Sequence, residues 1–508
     1  MDPILLGVAD TIESEFDSEV YKTLSPLEKY HSLLFRSVDK LFGFLGTDRS
    51  KIAPYLTDFV SIEAQSLGRE GYGFTVKDSN DMGFGGLACH TVDLGGASVG
   101  GAIAEAHAIV KANPYAVVLV AAADVPKSVF KQVSDLKRLT ATVCHKEWEM
   151  PYGATLIGLY SLLCERMMFD TGVTSEDLEE ITKHFRTLAE TNPRAFQFQK
   201  PLTEKQLKKP LSGVYSTPMI AIVTDHGFAT LITSEIMKQK LIENKIINKD
   251  SKHIYLAGSG HSAHAEYFIQ KKDLKSPAAL ACEKAVASSG FQRSDIEYAW
   301  IYDCFTGMII HEAGLYFGVS PKETTTALRK GKISNGVREI PINLGGGILN
   351  YQAAMAISGA TGLIDIASQY GLAVDPITNK LEKQPNVSLL GGNGGIDSIN
   401  SVILFSKEKP KPGREPLALK PLEVNVPNPK VGEKATILTV STIFFNPGGE
   451  KKPPYLIVCS TKENGEMVLT NLYGKNGAEI LSKDGLELGK SKVEFQEIEG
   501  KIQAVLLD

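Results

Sequence analysis

The segment Tyr302-Asp303-Cys304-Phe305 places three side chains with acid–base or nucleophilic chemistry next to one another. It ends an apolar run that predicts a buried strand, and it precedes a stretch with helical periodicity. Reactive groups in open α/β folds gather at such strand ends. A tyrosine there can exchange a proton and a cysteine can act as a nucleophile. A packed aromatic ring beside a buried thiol would give the same pattern, so both interpretations stay open.

Glycine-rich turns next to apolar segments form the second group of candidates. Glycine permits positive φ and close backbone approach, and the N–H groups that begin a helix can bind an anion or an oxyanion. The same turns also occur in α/β proteins without such a site. Neither the P-loop spacing nor a dinucleotide fingerprint is present, which disfavours nucleotide binding. The turns are Gly83-Phe84-Gly85-Gly86 with Gly95-Gly96, Gly345-Gly346-Gly347, and Gly391-Gly392-Asn393-Gly394-Gly395.

The cysteines and the net charge exclude several classes of protein. Six cysteines are scattered over 508 residues without a Cys-x-x-Cys pair, which argues against a disulfide framework or a zinc ribbon. We therefore expect no metal and a reducing, cytoplasmic environment. Lys plus Arg number 54 against 59 Asp plus Glu, a net charge of −5. This balance argues against nucleic-acid binding and against a polybasic membrane contact. No apolar run reaches the length of a membrane-spanning helix, and the first residues do not resemble a signal peptide.

The elements that must position these residues alternate between strand and helix in two cycles, which predicts an α/β fold with helices on both faces of the sheet. The second cycle repeats the rhythm of the first, as a duplicated half would. The predicted strands are 117–124, 253–258, 296–302 and 399–405, and the predicted helices are 95–112, 278–289, 306–316 and 351–368.

The predicted domains follow from breaks in this rhythm. Residues 1–250 form an N-terminal half with a loop excursion at about 125–215, in which Ser175 caps a helix, and residues 251–407 form a C-terminal half. Prolines concentrate in 408–432, which predicts an extended linker. Residues 433–508 are predicted to form a small all-β domain, marginal in stability unless it packs on its neighbour.

Over residues 1–407 the sequence resembles the thiolase superfamily, closest to its sterol-carrier-protein-type and thiolase-like branches. The resemblance implies a duplicated, five-layered αβαβα fold, a C-terminal OB-like domain, a homodimer or higher oligomer, and a substrate that carries coenzyme A, with no covalently bound cofactor. The segments that carry it are 81–99 with 102–124, 151–193, 225–229, 302–305, 343–362 and 391–395.

The family's implied chemistry uses a cysteine nucleophile, a second cysteine and two histidines, and this sequence departs from all four. The nucleophile position falls on Gly95, and the first histidine position falls on Tyr302. No histidine lies between Gly345 and Gly371. The second cysteine position falls near Leu389 or Leu390. Condensation through an acyl-cysteine therefore lacks its nucleophile.

What remains resembles thiolase-like aldolases, which cleave a β-hydroxyacyl-CoA by retro-aldol chemistry without an acyl-enzyme. The resemblance implies acid–base roles for Tyr302 and Tyr351, beside Asp303 and Cys304 as further catalytic candidates. Since an unperturbed tyrosine has a pKa near 10, a tyrosine base needs a lowered pKa or a proton relay. The implied binding residues for the thioester are Gly95, Gly96, Ser98, Gly346, Gly347, Gly394 and Gly395.

Two other functions stay open at this stage. The chain could be an acyl-CoA acyltransferase or thiolase that uses Cys89 or Cys304, or a CoA-binding scaffold without catalysis. The phosphates of coenzyme A are expected on the side of the loop excursion, although a lysine-rich helix is more often a solvated face. The basic residues there are Lys127, Lys131, Lys137 and Arg138.

Overall fold

The computed structural model describes residues 2–68, 73–131, 135, 142–417, 422–446, 449 and 451–507. The strands are β1 Pro3–Ile12, β2 Asp58–Ile62, β3 Ala88–Val92, β4 Val118–Asp124, β5 Pro210–Ser212, β6 Tyr215–Ser216, β7 His226–Ser234, β8 Ile254–Ala263, β9 Ile296–Trp300, β10 Lys332–Ser334, β11 Glu339–Pro341, β12 Val387–Gly394, β13 Ile399–Ser406, β14 Lys434–Ile443, β15 Tyr455–Lys462, β16 Met467–Thr470, β17 Leu472–Tyr473, β18 Lys492–Ile498 and β19 Lys501–Leu506.

The α-helices begin and end at clear sequence signals in several places; α2, for example, starts with a Ser25–Glu28 capping box and stops at Gly46. They are α1 Ser18–Thr23, α2 Pro26–Leu45, α3 Arg49–Ile52, α4 Phe74–Asp81, α5 Ser98–Ala112, α6 Pro126–Val129, α7 Leu156–Thr171, α8 Ser175–Glu190, α9 Glu204–Lys208, α10 Glu235–Glu243, α11 Ala278–Ser289, α12 Thr306–Phe317, α13 Pro321–Leu328 and α14 Ala360–Tyr370.

The two halves have the same strand order and join into one sheet. The nine-stranded sheet runs β3-β2-β4-β7-β1-β8-β13-β12-β9. Read outwards from the junction, the N-terminal half is β1-β7-β4-β2 with β3 added at the edge, and the C-terminal half is β8-β13-β12-β9. The halves meet where β1 pairs antiparallel with β8, Ile4 opposite Tyr255 and Leu5 opposite Ile254. The predicted duplication of an α/β half is thereby confirmed.

Alternation along the buried strands builds five layers. In β4, Val118 and Val120 face a central apolar cluster that contains α5 and α14, whereas Leu119 faces an outer cluster that contains α2. In β12, Leu390 faces the central cluster and Leu389 faces a second outer cluster, with α11 and α12. Both halves of the continuous sheet pack on the same central cluster, so each half forms a sheet layer of its own. The order helix–sheet–helix–sheet–helix is the predicted αβαβα architecture.

Residues beyond 433 form an all-β region, as predicted. Its sheet runs β16-β15-β14-β18-β19-β17. One face packs within this region, and the other face shares the outer cluster of the C-terminal half and the loop excursion, where Ile443 and Ile457 lie with Leu159 and Leu162 of α7. β5 of the loop excursion adds to the same sheet, with Ser212 opposite Ile443. The OB-type identity of this region and the exact domain boundaries stay predictions.

Two local predictions are wrong. Residues 351–359 are not α-helical, and the helix predicted to begin at Tyr351 begins at Ala360. The residue that caps α8 is Thr174, whose hydroxyl accepts the Asp177 N–H. The described linker residues 408–417 and 422–432 contain no helix, and Arg414 pairs with Glu283 of α11. Within the described part of the chain, no helix is long and apolar enough to cross a membrane.

Candidate functional site

Two of the predicted glycine turns meet backbone to backbone where the halves join. A methyl group on Gly95 would lie 3.1 Å from the Gly395 nitrogen and 3.2 Å from the Gly394 Cα. A methyl group on Gly96 would overlap the Asn393 carbonyl oxygen and the Tyr302 hydroxyl. The structure therefore brings together both glycine pairs and the tyrosine.

The Gly95 turn is closed by a serine that starts α5. Gly95 has a φ of +56°, in the left-handed region that glycine tolerates. The buried Ser98 hydroxyl donates to the Gly95 carbonyl at 2.6 Å and accepts the Leu94 N–H at 2.8 Å. Both hydrogen bonds of the Ser98 hydroxyl are therefore made within the turn, which leaves it poorly placed for its predicted role in binding the thioester. Gly95 and Gly96, in contrast, are partly exposed.

Tyr302 lies at the carboxyl end of β9, with only 6% of its surface exposed. Burial raises the pKa of its phenol far above the usual value, and Cys304 and Glu312 add to that shift against a hydrogen bond with Ser358. The phenol therefore stays protonated at neutral pH. It can donate a hydrogen bond or a proton, and it is unsuited to the role of a base.

Cys304 lies beside Tyr302 and is half-buried. Burial raises its pKa well above the usual thiol value, and the Glu312 carboxyl adds to the effect against a hydrogen bond from Tyr160. A neutral thiol is a weak nucleophile. Cys89 lies on the edge strand β3, and burial raises its pKa as well. Neither thiol is activated.

Asp303 anchors the second predicted glycine turn. Its buried carboxylate accepts the Ile348 N–H at 2.8 Å and the Leu349 N–H at 3.3 Å. Burial raises its pKa to about 7 in spite of these bonds. A methyl group on Gly347 would overlap the same carboxylate, and one on Gly346 would lie 2.7 Å from Ala189 of α8. This turn is therefore held between Asp303 and α8, apart from the contact between the other two glycine turns.

The Tyr351 hydroxyl belongs to another cluster. It donates to Asp10 at 3.1 Å and receives a bond from Arg194 at 3.3 Å. Burial opposes ionisation of Asp10, but Arg194 at 2.6 Å and His226 at 3.1 Å outweigh it and hold its pKa far below the usual value. An acid–base couple would need the Tyr351 and Tyr302 hydroxyls to act together. Here the Tyr351 hydroxyl is bonded to the charged side chains of Asp10 and Arg194, so it does not form such a couple with Tyr302.

Three residues at the site were not recognised in the sequence. Tyr160 of α7 donates to the Gly395 carbonyl at 2.5 Å and to the Asn393 side chain at 3.3 Å. The Asn393 amide in turn donates to the fully buried Glu312 of α12. The only sequence signal for Glu312 is a carboxylate within an otherwise apolar helix, and Asn393 stands out only as the non-glycine residue of its turn.

Two of the four basic residues expected on the phosphate side lie in the part of the chain that the structure describes. Lys127 pairs with Glu13 and lies over the Phe196 ring. Lys131 is exposed, and Lys137 and Arg138 lie outside the described residues. In the ranges that the structure describes, no cluster of three or more His, Cys, Asp or Glu side chains could hold a metal ion.

Comparisons with known proteins agree with this fold. Residues 260–407 match the family model described as "Thiolase C-terminal domain-like". Acetyl-CoA acetyltransferase of Methanocaldococcus jannaschii is 27% identical over 249 residues, which cover 47% of this chain and 59% of that protein. A subunit of benzoylsuccinyl-CoA thiolase from Thauera aromatica is 26% identical over 49% of this chain and 62% of its own length. The chain thus spans about three fifths of these curated relatives.

Other similar proteins carry a different activity or a matching overall shape. A steroid side-chain-cleaving aldolase from Thermomonospora curvata is 23% identical over 49% of this chain and 62% of that protein. A monomeric SCP2-thiolase-like protein type 1 from Mycobacterium smegmatis superposes over 99% of both chains with a TM-score of 0.69 at 16% identity. The Ltp2–ChsH2(DUF35) aldolase superposes over 80% of this chain and 98% of its own, with a TM-score of 0.61 at 20% identity. At these identities the superpositions establish the fold.

Proposed function

We propose that this chain, whose residues 260–407 match the thiolase C-terminal domain-like model, acts on acyl-CoA thioesters. It breaks or forms a carbon–carbon bond of a β-hydroxyacyl-CoA by aldol chemistry, without a cysteine nucleophile. Its relatives include both an acetyl-CoA acetyltransferase and a side-chain-cleaving aldolase. The choice between these two reactions rests on the residues at the site.

The observation that carries the proposal is the position of the Tyr302 hydroxyl against Gly96, where the two glycine turns meet. A protonated phenol beside the glycine turn that precedes α5 is suited to donate to an oxygen that gains negative charge. The neighbouring Cys304 has a raised pKa, which disfavours an acyl-cysteine.

In the retro-aldol direction, the bond between the α- and β-carbons breaks and its electron pair moves into the thioester as an enolate. The thioester oxygen accepts a hydrogen bond from Tyr302 as its charge develops. One proton leaves the β-hydroxyl and one reaches the α-carbon, so the products are an aldehyde or ketone and a shortened acyl-CoA. Tyr302 acts as the donor in this scheme, and Tyr351 has no step in it.

Incubation with a panel of β-hydroxyacyl-CoA thioesters, with mass detection of shortened acyl-CoA and carbonyl product, tests the reaction. Tyr302→Phe should lower kcat by about 10²-fold or more, since it removes one hydroxyl and nothing else. The matched control is Tyr370→Phe, which removes an equally buried hydroxyl bonded to Ser388 at 2.8 Å. Equal activity of the two variants would contradict the proposed role of Tyr302.

An acyltransferase or thiolase is the second candidate, favoured by the partial exposure of Cys304 beside Tyr302. It predicts that iodoacetamide abolishes acetyl transfer, that acetyl-CoA protects against this loss, and that Cys304→Ser is inactive. Retro-aldol turnover by Cys304→Ser would instead support the first candidate. Tight binding of CoA without turnover of any thioester would indicate a scaffold.

The assembly of the chain stays a proposal. The resemblance predicts a homodimer, whereas the structurally similar protein from M. smegmatis is described as monomeric. Sedimentation of the full chain distinguishes the two states.

A further inference from the structure

Glu312 lies in a buried group of polar side chains behind the Gly394–Gly395 turn. The carboxyl has no exposed surface, and it contacts the side-chain amide of Asn393 and, at 3.3 Å, the hydroxyl of Tyr316. Tyr316 also bonds the side chain of Asn400. Each of these neighbours is uncharged, so no cation contacts this carboxyl directly.

The buried charges nearby already balance without Glu312. Lys271 and Asp397 are both fully buried and form an ion pair at 3.2 Å. The Lys271 ammonium also donates to the Ile396 and Asp397 carbonyl oxygens at 2.9 and 2.7 Å, and Ser276 donates to the Asp397 carboxylate at 2.8 Å. An ionised Glu312 would add a second buried anion to a site with one buried cation, and an uncompensated buried charge is strongly unfavourable.

Every other titratable group that faces this region opposes a negative charge on Glu312 or leaves it uncompensated. Asp397 disfavours the ionised carboxyl directly. Burial lowers the pKa of His311, 3.7 Å from Asp397, so its imidazole supplies no positive charge at neutral pH. The remaining groups ionise to anions, if at all: Tyr302 and Cys304 after β9, Tyr160 on α7, and Tyr316 on α12 itself.

The hydrogen bonds at Glu312 come only from uncharged groups. The Tyr316 hydroxyl donates to the side-chain oxygen of Asn400, and one Glu312 oxygen lies 3.3 Å away as a second, weaker acceptor. Asn393 donates to the other Glu312 oxygen. These donors lower the pKa of Glu312, but burial and the charge of Asp397 outweigh them and keep it well above the usual value.

We propose that Glu312 is a neutral carboxylic acid that positions the Gly394–Gly395 turn through Asn393. Asn393 donates to Glu312 with its amide nitrogen and accepts from Tyr160 with its amide oxygen, and Tyr160 also donates to the Gly395 carbonyl. The Asn393 carbonyl is the atom that a methyl on Gly96 would strike. The link from Glu312 to the turn is structural, and its effect on turnover rests on the proposed function.

Thermal unfolding between about pH 5 and about pH 8 tests the protonation state without any substrate. A carboxyl that is more basic in the folded state than in the unfolded state stabilises fully at low pH, and this contribution is lost as pH rises towards its folded-state pKa. Glu312→Gln keeps a neutral donor and acceptor but does not titrate. The Tm of this variant relative to the native chain should therefore rise by about 2 °C or more over that pH range.

The matched control is Glu283→Gln, because Glu283 is equally buried but bonds Arg414 at 2.6 Å and faces Arg293 at 3.3 Å. These cations outweigh burial and lower its pKa, so the control should lower Tm throughout the range. If Glu312→Gln behaves as this control does, Glu312 is ionised and the proposal is overturned.

Turnover then tests the positioning role. Glu312→Ala should lower kcat by about tenfold or more with KM little changed, and Glu312→Gln should recover most of that loss. Recovery by Gln supports positioning by a neutral acid. If both variants lose the same fraction of kcat while Glu312→Gln has the same Tm as the native chain, the positioning role is contradicted. A native chain with no turnover would overturn the proposed function and leave the Tm result to decide the protonation state.

Discussion

A single buried cation, Lys271, balances the charge of the buried Asp397 near the site. Its ammonium is fully buried with Asp397, while the next residue, Lys272, pairs with Glu423 at the surface. Lys271→Met should lower the free energy of unfolding by about 3–5 kcal/mol, because it leaves a buried aspartate without its cation. Lys272→Met should change the free energy of unfolding far less, because its ion pair with Glu423 is screened by solvent.

Urea denaturation of both lysine variants measures the two effects. Equal losses would mean that Asp397 is solvated in the native protein. The comparison also bears on what sequence can reveal: two adjacent lysines look alike in the sequence, and only the packing of the segment 268–274 on the Asp397 turn makes one of them buried.

Because the sequence does not show long-range packing, only some of the site residues could be predicted from it. Tyr302, Gly95 and Gly395 were predicted because motif and turn chemistry are local properties of the chain. Glu312 and Tyr160 were missed because their importance comes from contacts made far away in sequence. The resemblance implies an acid–base role for Tyr351, but its hydroxyl donates to Asp10 of β1, which is remote in sequence.

At the scale of elements, two glycines of helix α2 and its C-terminal cap should respond in opposite directions to substitution by alanine. Gly43 is exposed within the helix, and a methyl group there would meet no atom within 4 Å. Gly46 ends the helix at a φ of +77°, and a methyl group there would overlap Asn248. Gly43→Ala should raise the free energy of unfolding by about 0.5–1 kcal/mol, because alanine is the better helix former.

Gly46→Ala should instead lower that free energy by about 1 kcal/mol or more, since alanine disfavours positive φ and the cap is crowded. Thermal or urea unfolding of the two variants gives the signs. A stabilised Gly46→Ala variant would show that the end of α2 can rearrange freely.

Element ends were predictable where such signals exist. α11 and α12 stop at Gly290 and Gly318, both in the left-handed conformation, and both ends were predicted within a residue. Residues 351–359 were misread as helix because they are apolar and contain no proline. Long-range backbone bonds hold that stretch instead, among them Thr224 N–H to the Ala353 carbonyl at 2.9 Å.

For the whole molecule, the decisive question is how firmly the C-terminal sheet is attached. Ile443 of β14 is fully buried against α7, whereas Val431 just before the sheet is 61% exposed. Ile443→Ala should lower the free energy of unfolding by about 2–5 kcal/mol, the usual cost of a core cavity, and Val431→Ala should change it by about 0.5 kcal/mol or less.

Unfolding followed by circular dichroism and by the fluorescence of Trp148 and Trp300 provides the measurement. The two probes should move together, because β14 shares its core with the rest of the chain. A cost for Ile443→Ala no larger than that for Val431→Ala would mean that the sheet is a loosely tethered appendage.

The contact between the two glycine turns also determines when this site can form during translation. Ser401 bonds the carbonyl of Ala97, 304 positions earlier, beside the place where Gly95 and Gly395 touch. The Gly95 turn is therefore synthesised long before the Gly395 turn, which follows only after almost the entire thiolase-like region has been translated. Contacts between such distant segments form late and slowly. Nascent chains arrested before residue 390 should consequently be unable to bind a thioester, however well their first sheet has formed.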